Sequence, residues 1–353
     1  MTPTFHTLKV TEVRRETDDT VSVAFEVPEE LKETFAYKSG QYLTLRTIID
    51  GEDLRRSYSL CSSAFEQEWR VAIKQVEEGK FSTFANCDIK VGDELQVMNP
   101  MGNFCVDLNP QHEKNYVLFA AGSGITPIIS IAKSILKEEP DSNVTLFYGN
   151  KGFSSIIFRE ELEALKNKYI DNLSLVHVLS RENLGNTLQK GRIDKEKCES
   201  LRKAFLDDVK TDEVYVCGPE EMIFAVREEF EAAGMDKKNI HFELFGTNVK
   251  KSDTPVVESG APSNVFVILD GDTYELAMHA EGQTVLDAAY AAGADLPYAC
   301  KGGVCCTCKA KILEGTAKMD INYALEPDEI EAGYVLTCQA HPTSEKLVVS
   351  FDD

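Results

Sequence analysis

The stretch Pro297-Tyr-Ala-Cys-Lys-Gly-Gly-Val-Cys-Cys-Thr-Cys308 spaces Cys300, Cys305 and Cys308 by four and two residues, and Cys338 ends Val335-Leu-Thr-Cys338 after 29 intervening residues. Three close thiols and one distant one is a spacing that holds a 2Fe–2S cluster. The chemistry explains it. Thiolates are soft ligands for iron, and a tight loop can wrap three of them around a cluster while a separate strand end supplies the fourth. Gly302, Gly303, Val304 and Thr307 are small enough to let backbone amides approach the sulfurs. Zinc is the alternative occupant, but zinc sites usually pair two CxxC knuckles, and Cys338 has no such partner. Cys306 is a fifth cysteine inside the loop.

The remaining cysteines (Cys61, Cys87, Cys105, Cys198, Cys217) are scattered singly, whereas five crowd into the last 54 residues. A chain of 353 residues needs no disulfide staples, so the cluster of thiols points to metal or redox chemistry in a reducing, cytoplasmic setting. A net charge of −22 argues against nucleic acid and anionic membrane surfaces as partners. The N-terminus has no signal-peptide pattern. The uncharged run Tyr116–Ala132 is short for a membrane span and is broken by Gly122, Ser123, Gly124, Thr126 and Pro127, so it reads as a buried strand, turn and helix.

Working outward from the cysteines, Val265-Phe-Val-Ile-Leu269, the turn at Asp270-Gly271-Asp272 and a helix from Thr284 to Ala292 with Thr284 as N-cap predict a small α+β domain over residues 264–353. Residues 248–263 are polar, carry two prolines and read as a linker. Upstream, residues 111–247 alternate buried-strand runs (Tyr116–Ala121, Val144–Tyr148, Leu173–Leu179, Glu213–Cys217) with helical segments (Pro127–Lys137, Phe158–Lys168), which predicts an α/β domain with a parallel sheet. Residues 1–110 hold short alternating runs, among them Val21–Val27, Tyr42–Ile48 and Trp69–Val76, punctuated by glycines. They predict an antiparallel β-barrel.

Pro297–Cys308 together with Leu336-Thr-Cys-Gln-Ala340 resembles a plant-type ferredoxin domain, which has a β-grasp fold. The resemblance implies Cys300, Cys305, Cys308 and Cys338 as cluster ligands and Cys306 as a bystander. Arg56-Ser57-Tyr58-Ser59 resembles the R-x-Y-S motif of the ferredoxin–NADP reductase family. There the arginine meets flavin phosphate, the tyrosine packs on the flavin and the serine bonds near its central ring nitrogen. Gly79-Lys80-Phe81-Ser82 is similar to the family's second flavin-phosphate loop, and Asn99–Phe104 to its barrel-closing turn. Ala121-Gly-Ser-Gly-Ile-Thr-Pro127 is similar to the nicotinamide-nucleotide loop, which implies Gly122, Gly124, Thr126 and Pro127 at the pyrophosphate. Cys217-Gly218-Pro219 matches the nicotinamide-end motif, and His241–Phe245 the closing strand, with Phe245 beside the flavin. Ser180-Arg181 resembles the pair that grips the 2′-phosphate of NADPH, and Lys151, where a ribose acceptor would otherwise be acidic, points the same way.

In order, the three segments resemble the ferredoxin–NADP reductase family with a C-terminal 2Fe–2S domain, as in reductase components of the phenylacetyl-CoA epoxidase type. The resemblance implies FAD, a 2Fe–2S cluster and NADPH as cosubstrate, with Ser59 and Cys217 at the hydride-transfer site. It further implies an electron-accepting protein partner, an oxygenase component. Three other functions share some of these features. One, an electron-transfer subunit of dihydroorotate dehydrogenase, shares the first two domains, but its last cysteine falls much closer to the first three than the 29-residue gap here. A dioxygenase reductase of the same domain order uses FMN and NADH, and a redox sensor could use the cluster alone, although a complete nucleotide site is unexpected in a sensor.

Overall fold

The computed structural model describes residues 4–183, 185–246 and 259–353. One compact unit is built from Thr7–Leu54 and Tyr58–Phe245, and the other chiefly from residues after Phe245.

In the first unit, β1 (Phe5–Thr17), β2 (Thr20–Glu26), β3 (Tyr42–Ile49), β4 (Glu52–Ser59), β5 (Trp69–Lys74) and β6 (Glu94–Met98) form one sheet in the order β4-β3-β6-β1-β2-β5. The β1–β2, β2–β5 and β3–β6 pairs are antiparallel. Leu60, just past β4, bridges to Val71 of β5, so the two edges meet and the sheet closes. Val23, Leu43, Leu45, Leu60, Val71, Ile73 and Val97 fill the interior with no exposed surface. Helix α1 (Lys80–Cys87) adds Phe81 and Ala85 to that core.

The same unit continues as a parallel sheet of β7 (Asn115–Ala121), β8 (Asn143–Asn150), β9 (Leu173–Leu179), β10 (Glu213–Cys217) and β11 (Ile240–Glu243), in the order β11-β10-β7-β8-β9. Helices α2 (Ile125–Glu138), α3 (Arg159–Lys168), α4 (Lys195–Phe205) and α5 (Glu220–Ala232) connect its strands. The strand order reverses between β7 and β10, and the crevice outside their carboxyl ends is where such sheets bind ligands. Tyr116–Ala132 is thus strand, turn and helix, and no described helix is long and apolar enough to cross a membrane. Serines on α2 tie the barrel to the sheet. Ser130 donates to the Ser62 carbonyl at 2.6 Å, and the Ser134 and Ser39 hydroxyls lie 2.6 Å apart, all buried.

In the second unit, β12 (Ser259–Leu269), β13 (Asp272–Glu281), β14 (Lys309–Glu314), β16 (Tyr334–Leu336) and β18 (Lys346–Ser350) form a mixed sheet, β13-β12-β18-β14-β16. The short strands β15 (Ala317–Met319) and β17 (Ala340–Pro342) pair separately. Helix α6 (Val285–Ala291) buries Val285, Leu286 and Ala289, and Thr284 caps it by accepting from the Asp287 N–H. Helix α7 (Pro327–Glu331) precedes β16. This is the expected α+β arrangement. The linker expectation needs a correction. Residues 248–258 lie outside the described residues, but Ser259–Ser263 already belong to β12. There β12 pairs only with β13, and β18 joins at Asn264, so Pro262 sits where a missing N–H leaves no ladder bond unmade.

Candidate functional site

Three strand ends meet in the first unit. Cys217 closes β10 and pairs in register with Ala120 of β7 on one side and Glu243 of β11 on the other. Ser59, the last residue of β4, donates from Oγ to Glu243 Oε2 at 2.9 Å. The barrel strand bearing the Arg-x-Tyr-Ser motif is thus bonded directly to the nucleotide sheet. Burial pushes the Glu243 carboxyl up to about 8, with the Ser59 hydrogen bond opposing. Burial, reinforced by Glu243, also raises the Cys217 thiol.

Next to them, Gly122–Gly124 form one 3₁₀ turn that leads into α2. A Cβ on Gly124 would lie 2.1 Å from the Cys217 carbonyl oxygen, so only glycine lets the loop close on β10. Gly122 has φ +55°, a conformation glycine adopts at little cost. No side chain caps α2; its Ile125 N–H returns to the Gly122 and Ser123 carbonyls, and Pro127 carries no N–H. The buried Thr126 hydroxyl donates to the Ser123 carbonyl, and Pro127 lies in the first turn, so both shape the loop from behind. Tyr148, at the end of β8, donates to the Gly122 carbonyl at 3.0 Å. Gly218 follows Cys217 and is packed against Met222 and Ala121, while Pro219 is exposed at the mouth.

Along β4, Arg56 is exposed and its guanidinium donates to the Arg55 carbonyl. Ser57 and Tyr58 are half-buried, and the Tyr58 ring stands 5.7 Å from that of Phe81. The Gly79–Ser82 expectation changes in detail. The Phe81 ring is in the barrel core, not at a ligand surface. The Ser82 hydroxyl accepts from the Val76 N–H and donates to the Gly79 carbonyl, closing the turn. Helix α1 starts at Gly79 without a side-chain cap, so its backbone, with exposed Lys80 paired to Glu52, is what this loop offers an anion. Phe245 is half-exposed beyond β11.

At the far edge of the parallel sheet, the Ser180 N–H donates to the Asn150 carbonyl and the Arg181 N–H to the Lys151 carbonyl. Lys190 bridges to Leu179, and the Gly191 N–H also returns to Leu179. Lys151, Arg181, Lys190 and Arg192 are therefore gathered at the ends of β8 and β9, all exposed, and they appear in no ion pair among the described residues. Glu182, next to Arg181, accepts from the Phe153 N–H at 3.1 Å.

In the second unit, the four thiols come together. Cys305 lies 3.1 Å from Cys300, and Cys338 is within hydrogen-bonding reach of both Cys300 and Cys308. The contacts run as a chain of pairs, Cys305 to Cys300, Cys300 to Cys338 and Cys338 to Cys308. Four soft thiols gathered in one place are a donor set that suits a 2Fe–2S cluster. The Gly302 N–H points at Cys300 Sγ (3.3 Å) and the Gln339 amide at Cys338 Sγ (3.6 Å), contacts that favour thiolates. The Cys305 and Cys338 thiols donate to Cys300 and, with backbone amides, hold it well below the usual thiol range. Lys301 (φ +50°) and Gly303 (φ +72°) are left-handed, and a Cβ on Gly303 would meet the Ile321 carbonyl oxygen at 2.8 Å. Cys306 points away, its sulfur against the Ala324 carbonyl.

Sequence reasoning passed over Glu243, Tyr148 and Gln339. Each lay inside a quoted run without being assigned a role, and a carboxyl two residues before Phe245 on a closing strand was the available signal for the first.

Three domain families match the chain: the oxidoreductase FAD-binding domain over residues 7–105, the oxidoreductase NAD-binding domain over 118–228 and the 2Fe-2S iron-sulfur cluster binding domain over 267–343. The chain is therefore an oxidoreductase that carries FAD and a 2Fe–2S cluster and uses a pyridine nucleotide. It is 45% identical to a component of the 1,2-phenylacetyl-CoA epoxidase of Escherichia coli, over 99% of its length and 98% of that protein's. It is 35% identical to the ferredoxin reductase component of 3-ketosteroid-9-alpha-monooxygenase from Rhodococcus rhodochrous, over 98% of the chain and 96% of that protein. In fold it is similar to phthalate dioxygenase reductase, with TM-score 0.59 and 23% identity over 98% of both chains. The chain belongs to the family of reductase components with FAD-binding, NAD-binding and 2Fe–2S domains that includes these epoxidase and monooxygenase components.

Proposed function

We propose that this chain is the NADPH-dependent reductase of a multicomponent oxygenase, working in the cytoplasm and handing electrons to an oxygenase component, with one of the phenylacetyl-CoA epoxidase type the first acceptor to test. The observation that carries the nucleotide choice is the unpaired basic edge of Lys151, Arg181, Lys190 and Arg192 in a chain of net charge −22. A 2′-phosphate is the dianion that such an edge fits.

When bound, FAD would supply two-electron acceptance from the nicotinamide with release of single electrons, and a 2Fe–2S cluster would supply one-electron carriage toward the acceptor. The residues divide the remaining work. Gly122, Gly124 and the start of α2 receive the nucleotide pyrophosphate, and Ser180 and Arg181 the 2′-phosphate. Arg56 and the start of α1 at Gly79 hold the flavin phosphates, while Tyr58 packs on the flavin. Cys217 and Gly218 wall the nicotinamide pocket. Ser59 Oγ and Glu243 form a hydrogen-bonded pair able to hold or pass a proton at the hydride-transfer site. Cys300, Cys305, Cys308 and Cys338 hold the cluster.

Arg181→Ala should lose about 1.5–3 kcal/mol of NADPH binding, roughly 10- to 150-fold, and leave NADH binding nearly unchanged. Equal losses with both nucleotides would remove Arg181 as the discriminator. For the acceptor, residues 264–353 carry 15 Asp and Glu against 5 Lys and Arg, so a partner with a basic patch is favoured. Electron delivery to it should slow as ionic strength rises from about 0.01 to about 0.1 M, while flavin reduction by NADPH does not track that change. A flat delivery rate would remove the electrostatic docking.

A further inference from the structure

Lys301 follows the first cysteine of the cluster loop, and it is held in an unusual way. Its backbone is left-handed (φ +50°), which a lysine adopts only at a cost that glycine avoids. That turn aims the Lys301 carbonyl at the Gln339 amide, which donates to it at 3.2 Å, and the next N–H, of Gly302, at Cys300 Sγ. The side chain does not extend into solvent. Its Nζ sits 2.8 Å from Asp287 Oδ1 and over the rings of Tyr298 (4.6 Å) and Tyr290 (5.7 Å). Those rings stand edge to face, 5.9 Å apart. Asp287 and Tyr290 come from α6, so a cation in the loop is clamped to a helix of the same domain.

We propose that the Lys301–Asp287 pair sets the reduction potential of the 2Fe–2S cluster, with Lys301 a positioning residue whose charge stabilises the reduced form and Asp287 its counterweight. The inference rests on Cys300, Cys305, Cys308 and Cys338 being the ligands. Reduction adds one electron, and so one negative charge, to the loop's cargo. A cation close by favours that charge and a carboxylate opposes it, and the side chains are only 28% and 41% exposed, so solvent screens neither fully. Cation–π contact with Tyr298 and Tyr290 keeps the ammonium on the loop and away from bulk water.

The two members of the pair therefore act with opposite signs, which a merely structural clamp cannot do. In an equilibrium redox titration of the full-length protein, followed by the visible absorbance and electron paramagnetic resonance of the cluster, Lys301→Gln should lower the reduced-to-oxidised ratio at fixed potential three- to tenfold. Tenfold corresponds to about 59 mV for one electron. Asp287→Asn should raise the ratio by a similar factor, the double variant should return near the parent, and Lys301→Arg should stay within twofold. Shifts of the same sign in both single variants, or none beyond twofold, would overturn the proposal. If Lys301→Gln loses iron, Asp287→Asn decides by itself, since a downward or absent shift overturns the proposal equally. Failure of the ligand assignment is seen separately, as a normal cluster spectrum in a Cys338→Ser protein.

Discussion

The loop of thiols and the junction of Ser59, Cys217 and Glu243, the two places proposed to handle electrons, are assembled in opposite ways. The loop takes three of its four thiols from nine consecutive residues, Cys300–Cys308, and shapes itself with left-handed backbone at Lys301 and Gly303 and with N–H groups aimed at sulfur. The junction takes Ser59, Cys217 and Glu243 from three strand ends far apart in the chain. It depends on strand register and on one close approach, Gly124 against Cys217. Damage to the loop should stay local, whereas damage to the junction should spread through packing to nucleotide and flavin together.

The largest expected effect is at the loop. Serine at Cys300, Cys305, Cys308 or Cys338 should abolish the visible iron–sulfur absorbance while flavin remains bound, and Cys306→Ser should leave both intact. Loss of the cluster in Cys306→Ser would reverse the reading of its sulfur as turned toward Ala324.

Next in size is Gly124→Ala. Its added carbon has nowhere to go without moving the Cys217–Gly218 backbone, so nucleotide affinity should fall by about two orders of magnitude, a loss of about 2.7 kcal/mol. Flavin content and cluster absorbance should report whether the damage spreads, and unchanged binding would show that the approach is not needed.

The smallest effect is a pH dependence at Glu243. Its folded-state pKa of about 8 lies above the ordinary value of 4.5, so across that window the folded chain holds a proton that the unfolded chain has released. Folding stability should therefore fall as pH rises from about 5 to about 9, and Glu243→Gln, which cannot ionise, should flatten that slope by about 1–3 kcal/mol. Denaturant unfolding at the two pH values checks it, and parallel slopes would contradict the burial of this carboxyl.

The same contrast decides what a reader of the chain can find. The gathering of the thiols was legible because three of them share nine residues, and a buried parallel strand because it is a continuous apolar run such as Tyr116–Ala121. Glu243 was not legible, because its partner Ser59 lies in another domain and only folding brings them together. The turn at Gly79–Ser82 was legible, but not where its side chains go, because only the folded chain shows the Phe81 ring in the core and the Ser82 hydroxyl closing the turn. Ser259–Ser263 read as linker because prolines at a strand's unpaired end look like prolines in coil.

The central claim is that electrons enter at the junction and leave only through the loop. Anaerobic rapid mixing of NADPH with the parent and with Cys338→Ser, in the presence of a protein acceptor, tests it most directly. Flavin should bleach at equal rates in both proteins, with acceptor reduction in the parent and almost none in the variant. Undiminished acceptor reduction by a variant shown to lack its iron would contradict the claim.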